Sequence, residues 1–224
     1  MSWHGRARKS LKQFFTAFAT LAALSLPATA ARAQGHAYVN MMRSSTTSYF
    51  YMEQSVEGEW GKYTANVAQT DADGSKKTVA VPQTWKGYGI GTSFGLEMLK
   101  FVQVEAGHTF VNVSYRDDAL QSLSGSRLHA GGRIVFTSPA VNFEAGAGVQ
   151  GSRLDYRKQL EEGEFYGSGT YYSLGLNYFL SSHFSVYYQA KTENAHLERN
   201  SGQSSVKSIE TNSTLMGLGF RLWL

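Results

Sequence analysis

Residues 216–224, Met-Gly-Leu-Gly-Phe-Arg-Leu-Trp-Leu, alternate without interruption. Met216, Leu218, Phe220, Leu222 and Leu224 form one wholly apolar face, and Gly217, Gly219, Arg221 and Trp223 form the other. A period of two with an apolar face marks a strand that has lipid or a core on one side and a polar space on the other. The last residues of a soluble domain are usually loosely held and gain little from such patterning, so a bilayer is the expected neighbour.

The same alternation recurs upstream. Phe184, Val186, Tyr188 and Ala190 alternate with Ser185, Tyr187, Gln189 and Lys191. Tyr172, Leu174, Leu176, Tyr178 and Leu180 precede them across Ser181-Ser182-His183. Val141, Phe143, Ala145, Ala147 and Val149 follow Leu128, Ala130, Gly132, Ile134 and Phe136 across 137–140. Tyr88, Ile90, Thr92, Phe94, Leu96 and Met98 turn at 99–101 into Val102, Val104 and Ala106. These are tight hairpins. Val111, Val113 and Tyr115 then have the opposite parity to Val102, which predicts a β-bulge at Gly107-His108.

Short turns near 99–101, 137–140 and 181–183 thus alternate with longer polar connections at 116–126, 157–167 and 193–210, with 57–84 longer still. With one more strand at 47–56, the count is eight, and both termini fall on the rim of short turns. The expected fold is all-β, a transmembrane antiparallel up-and-down barrel closed by an even number of strands. Tyr63–Gln69 and Lys77–Val81 flank Asp71-Ala72-Asp73-Gly74, which is hairpin chemistry. They are read as a hairpin rising in the first external loop; two further wall strands would make ten.

Compartment follows from the start of the chain. Arg6, Arg8, Lys9 and Lys12 run into an apolar stretch from Phe14 to Leu26, followed by Pro27 and the small-residue sites Ala28-Thr29-Ala30 and Ala31-Arg32-Ala33. That order is a secretory signal peptide, expected to be cleaved before Gln34, and its apolar part is too short for a permanent helix. The expected organisation is a leader over 1–33, a short periplasmic segment over 34–46 and a barrel over 47–224. The chain has 21 Lys+Arg and 17 Asp+Glu, but five of the bases and none of the acids lie in the leader, which leaves −1 beyond it. No nucleic-acid partner is therefore expected. The absence of Cys excludes a disulfide framework. After Gln34 no window approaches the roughly 18 apolar residues of a membrane helix, so a membrane protein of this sequence must be a closed barrel.

Together these features resemble the small outer-membrane β-barrel superfamily of Gram-negative bacteria, the group of the OmpA transmembrane domain and the OmpX/Ail-like proteins. The resemblance covers about residues 47–224. It is carried by the architecture and by Met216, Leu218, Phe220, Leu222, Trp223 and Leu224, which resemble the strand read by the barrel-assembly machinery; Leu224 stands where that family usually ends in Phe or Trp. The resemblance implies an outer-membrane monomer with periplasmic termini, lipopolysaccharide and outer-membrane lipid as neighbours, and periplasmic chaperones as partners in biogenesis.

Five inward charges stand out. Glu97 and Glu105 flank the first short turn, Arg133 and Glu144 the second, and Arg221 lies near the end. Counted from the turns they share one depth, and an eight-stranded barrel is just wide enough for side chains to fill. A charge network plugging the lumen is expected, with a conducting path as the alternative; buried carboxylates and guanidiniums must pair.

Enzymatic readings are weaker. His183-Phe184-Ser185-Val186 matches two of three fixed positions in the His-x-Ser-Asn stretch of lipid A deacylases, but at the wrong rim. His196 and Glu198 face outward at the opposite rim, with Ser201 or Ser204 as a candidate hydroxyl; solvated loop residues are the expected reading. Asp117, Asp118, Glu161, Glu162 and Glu164 are carboxylates of the kind that bind divalent cations, but Arg116, Arg157 and Lys158 stand among them, and an ordinary solvated loop is the expected reading. Gly89-x-Gly91 lacks the third glycine of a dinucleotide motif, since Phe94 stands there. Neither catalysis nor a metal or cofactor is expected. The function read from the sequence is structural or interactive: envelope integrity, lipopolysaccharide contact or adhesion through external loops.

Overall fold

The structure, a computed structural model, describes residues 49–98, 100–115, 121–137, 141–159 and 161–224. The leader, the segment 34–46, Asp117 and Asp118 lie outside the described residues. Eight antiparallel strands close into one barrel in chain order: β1 Tyr49–Thr70, β2 Lys76–Met98, β3 Val102–Tyr115, β4 Gln121–Thr137, β5 Val141–Lys158, β6 Glu161–Phe179, β7 Phe184–Gly202 and β8 Val206–Trp223. Closure is made by β1 against β8, from Tyr51 opposite Trp223 to Val67 opposite Val206. Every backbone polar group of the wall can thus find a partner without an exposed edge.

The segment 57–84 is neither a separate hairpin nor two added wall strands. It is the continuation of β1 and β2, paired from Tyr49 opposite Glu97 up to Thr70 opposite Lys76. Its tip is a tight turn in which Gly74, at φ +84°, donates its N–H to Asp71 O at 2.9 Å. A positive φ of this kind favours glycine, which has no Cβ to clash. The connections read as long loops at 116–126, 157–167 and 193–210 are likewise mostly strand.

The expected bulge at Gly107-His108 is absent: β3 pairs in unbroken register with both neighbours, Thr92 opposite His108 and His108 opposite Leu128. His108 therefore faces outward, and Val111 and Val113, both 0% exposed, face the lumen. The apolar residues change face although the strand does not. Near the short turns the wall is apolar outside and polar inside; toward the other rim it is polar outside and apolar inside. On β3 the exchange falls between outward Phe110 and inward Val111. On β8 it falls between outward Met216 and inward Leu215.

The outward run of β3 from Val102 to Phe110, apolar except for His108, matches the 9–11 residues that a tilted strand needs to cross a bilayer. Leu128, Val149, Tyr172 and Leu218 continue the band on other strands. Beyond it the outward residues are polar, as Lys62, Ser124, Asp155 and Asn212 illustrate. The interior of that second half is filled by an apolar cluster that includes Tyr63, Trp85, Val111, Val113, Leu123 and Phe165. The opposite parity of Val111 and Val113 thus marks a change of surroundings along β3 and not a change of register.

Candidate functional site: the filled lumen and the outer wall

Inside the membrane-facing half the barrel is stacked in layers. The floor is Tyr51, Phe179 and Trp223, and Trp223 Nε1 donates to Ser185 Oγ at 2.9 Å. Room for the Tyr51 ring comes from the neighbouring strand, where it lies across Gly95 of β2 and any Cβ there would run into it. Above the floor, Arg221 Cζ sits 4.6 Å from the Tyr51 ring centroid, an arrangement that suits a planar cation on an aromatic face.

The first charge layer joins four of the five residues selected from the sequence. Arg221 Nη1 donates to Glu144 Oε1 at 2.7 Å, and its Nη2 donates to Glu53 Oε2 at 2.7 Å and to Glu144 Oε2 at 3.0 Å. Arg133 Nη1 donates to Glu53 Oε2 and Glu144 Oε2, both at 3.1 Å, and its Nη2 pairs with Glu105. Tyr171 Oη donates to the same Glu105 carboxylate at 3.1 Å. Glu97, the fifth, is buried lower down, where it accepts from Gln103 Nε2 at 2.8 Å.

The hub of this layer, Glu53, was not selected from the sequence. It lies on β1, the strand whose polar inner face was the least clearly patterned, yet Glu53 alternates with outward Met52 and Gln54 as the rule of two requires. A second charge layer lies above. Arg127 grips Glu59 with Nη1 at 2.9 Å and Nη2 at 2.8 Å, and reaches Glu193 at 3.0 Å. Lys191 Nζ stands 3.3 Å from Glu193 and 3.7 Å from Glu57. Glu57, Glu59 and Glu193 were assigned to loops, and Arg127 to the boundary of one. The available signal was again parity, carried further along each strand than the apolar pattern reaches.

Between the layers lies a cavity of about 10 Å³, lined by residues that include Glu57, Ser93, Thr109, His129 and Gln189. That is room for about one water. The apolar cluster closes the lumen above. Counting the buried charges among the described residues, seven Glu face three Arg and one Lys, so the interior is acidic overall. Chemically, this arrangement can hold the wall together and block it; it offers no substrate-sized space.

The outward candidates are arranged differently. His196 Nε2 is 3.6 Å from Glu198 Oε1 and its Nδ1 is 4.0 Å from Glu210 Oε1, with the imidazole 53% exposed. Ser168, not Ser201 or Ser204, is the residue opposite His196. Ser201 donates to Glu164 at 3.3 Å and Ser204 to Glu161 at 3.2 Å. His183 lies in the exposed turn before β7, its Nδ1 2.8 Å from Ser182 Oγ. Among the described residues, no three His, Cys, Asp or Glu are grouped as metal ligands.

A closed ring of eight up-and-down strands with a filled, charged lumen and an outward apolar belt defines the architecture of the small outer-membrane β-barrels. Solved structures of that architecture superpose on the chain. Neisserial surface protein A is 13% identical, covering 79% of this chain and 98% of its own, with a TM-score of 0.52. Outer membrane protein AlkL, solved in lipid bilayers, is 8% identical, covering 81% and 92%, with a TM-score of 0.51. OprG of Pseudomonas aeruginosa is 12% identical over 80% and 97%, at 0.48. No protein-family model and no curated protein matches the chain.

Proposed function

We propose that the protein is an integral, monomeric outer-membrane barrel with a blocked lumen, acting through its outer wall and rim in envelope integrity, lipopolysaccharide contact or adhesion. The single observation that carries this reading is the exchange of apolar faces along the strands. An apolar exterior about one bilayer tall, surmounted by a polar exterior over an apolar core, has a stable place only where lipid meets water. The rim of short turns and both chain termini then face the periplasm. Chaperones and the barrel-assembly machinery deliver the chain, and no catalysis is assigned to it.

The alternative, a narrow pore, and the reading adopted here give different results in planar bilayers. The blocked barrel conducts poorly or not at all. Steady ohmic currents, cation-selective as an acidic lumen dictates, would overturn the plug. An enzymatic role is tested separately by mass spectrometry of lipid A from cells with and without the protein, which should give the same species.

A further inference from the structure

The cavity between the two charge layers is short of positive charge. Glu53, Glu57 and Glu105 line it together with Arg133 and Lys191, so the lining keeps one negative charge beyond its own cations. Glu57 is the carboxylate least served. Lys191 Nζ lies closer to Glu193, at 3.3 Å, than to Glu57 Oε1, at 3.7 Å, and Arg133 is shared among Glu53, Glu105 and Glu144. Glu57 is 5% exposed, and its Oε2 has no hydrogen-bond partner among the described residues. Such a group is costly, because a buried charge must be paired to offset its desolvation.

Neutral oxygens border the same space. Ser55, Thr109 and Gln189 belong to the lining, while Ser93 Oγ and His129 Nε2 are engaged with each other at 3.1 Å. Gly91 keeps the space open: a Cβ there would lie 2.7 Å from Ser55 Oγ and 3.1 Å from Thr109 Oγ1. The floor of Tyr51, Phe179 and Trp223 lies below, and the apolar cluster above.

We infer that this cavity is a binding site for one unhydrated alkali cation of sodium's class. Glu57 supplies the countercharge, and the hydroxyls of Ser55 and Thr109 and the amide oxygen of Gln189 supply neutral ligands. A water fits the same volume of about 10 Å³ and can donate to Glu57, but it leaves the charge uncompensated. A cation of similar size removes both deficits. Hard cations take oxygen ligands, and a divalent one ordinarily draws on several carboxylates. No three His, Cys, Asp or Glu are grouped for a metal among the described residues, which favours a monovalent ion. The site goes beyond the proposed function but rests on its blocked lumen, which keeps the ion from bulk water.

The test uses the purified full barrel folded into phosphatidylcholine vesicles. Urea unfolding, read by heat-dependent gel mobility, is compared in sodium chloride and, at equal ionic strength, in tetramethylammonium chloride, whose cation is too large for the cavity. An ion bound only by the folded state stabilises it with the logarithm of its concentration. Above saturation, each tenfold rise in sodium should therefore raise the ratio of folded to unfolded barrel about tenfold. Glu57→Gln removes the countercharge, keeps the shape, and should abolish the response. Gly91→Ala keeps every carboxylate but drives a methyl group toward Ser55 and Thr109, and should abolish it too. Glu210→Gln, on the exposed outer wall, should respond as the wild type does.

Equal stability of the wild type in the two salts overturns the inference, and would mean that a water or a proton satisfies Glu57. A sodium response that survives Glu57→Gln overturns it as well. Either result leaves the barrel reading intact. Steady ohmic currents through the wild type overturn the blocked lumen, and unchanged gel mobility of the wild type on heating overturns the barrel itself. Gly91→Ala carries the test should Glu57→Gln fail to fold.

Discussion

Removing Arg133 should strand one carboxylate far more than the other two. Glu53 and Glu144 each retain Arg221 at 2.7 Å. Among the described residues, Glu105 keeps only the Tyr171 hydroxyl at 3.1 Å. Breaking a buried ion pair costs about 3–5 kcal/mol, because the remaining charge is left desolvated without compensation. Arg133→Met should therefore destabilise the barrel by about that amount. Adding Glu105→Gln removes the stranded charge and should restore about 1–3 kcal/mol, within the range of coupling for groups in contact. Adding Glu144→Gln should restore little, since it also removes a partner of Arg221. The assay is urea unfolding in vesicles, read by the heat-dependent gel mobility of folded barrels and arranged as two double-mutant cycles. Equal coupling of Arg133 to Glu105 and Glu144, or none to either, would refute the partner assignments.

Two further outcomes follow from the wall. Leu174→Arg and Leu218→Arg place charge on the belt, at about 2–4 kcal/mol near the midplane, and should impair assembly more than Ser173→Ala or Gly217→Ser; Val113→Arg, equally disruptive although beyond the belt, would separate the exchange of faces from a lipid effect. Deleting Phe220 to Leu224 should leave the chain in the periplasm, degraded or aggregated, because it removes the closing strand segment and the recognised signal together; normal outer-membrane levels of the truncated chain would contradict this.

The fold was legible because lipid imposes a strict period of two, and each turn that interrupts it is short and polar. Leu174 and Ser173, or Leu218 and Gly217, declare their faces from sequence alone. Strand lengths were not legible. Past the belt, outward Asn212 and Thr214 no longer contrast with inward Ser213 in the way that Leu218 contrasts with Gly219, so the alternation fades while the strand continues. The same fading hid Glu57, Glu59, Arg127 and Glu193, which keep the inward parity of their strands but stand where the apolar signal had ended. The missed Glu53 is a different case: its period was present, and only its partners, distant in sequence on β4 and β8, reveal it as the hub. Such pairings come from the circumference of the closed ring.

Lengthwise, the molecule is built as a surfactant. One end is an oily tail with a salted interior; the other is a wetted head carrying its own droplet of oil, from Tyr63 and Trp85 to Phe165. A body of this kind has a direction. Dragging the head into hydrocarbon would drown Lys62, Asp155 and Asn212 in oil, and lifting the tail into water would bare Ile90, Leu128 and Leu218. Solvation alone then fixes how deep the barrel floats and keeps its polar end standing out of the hydrocarbon.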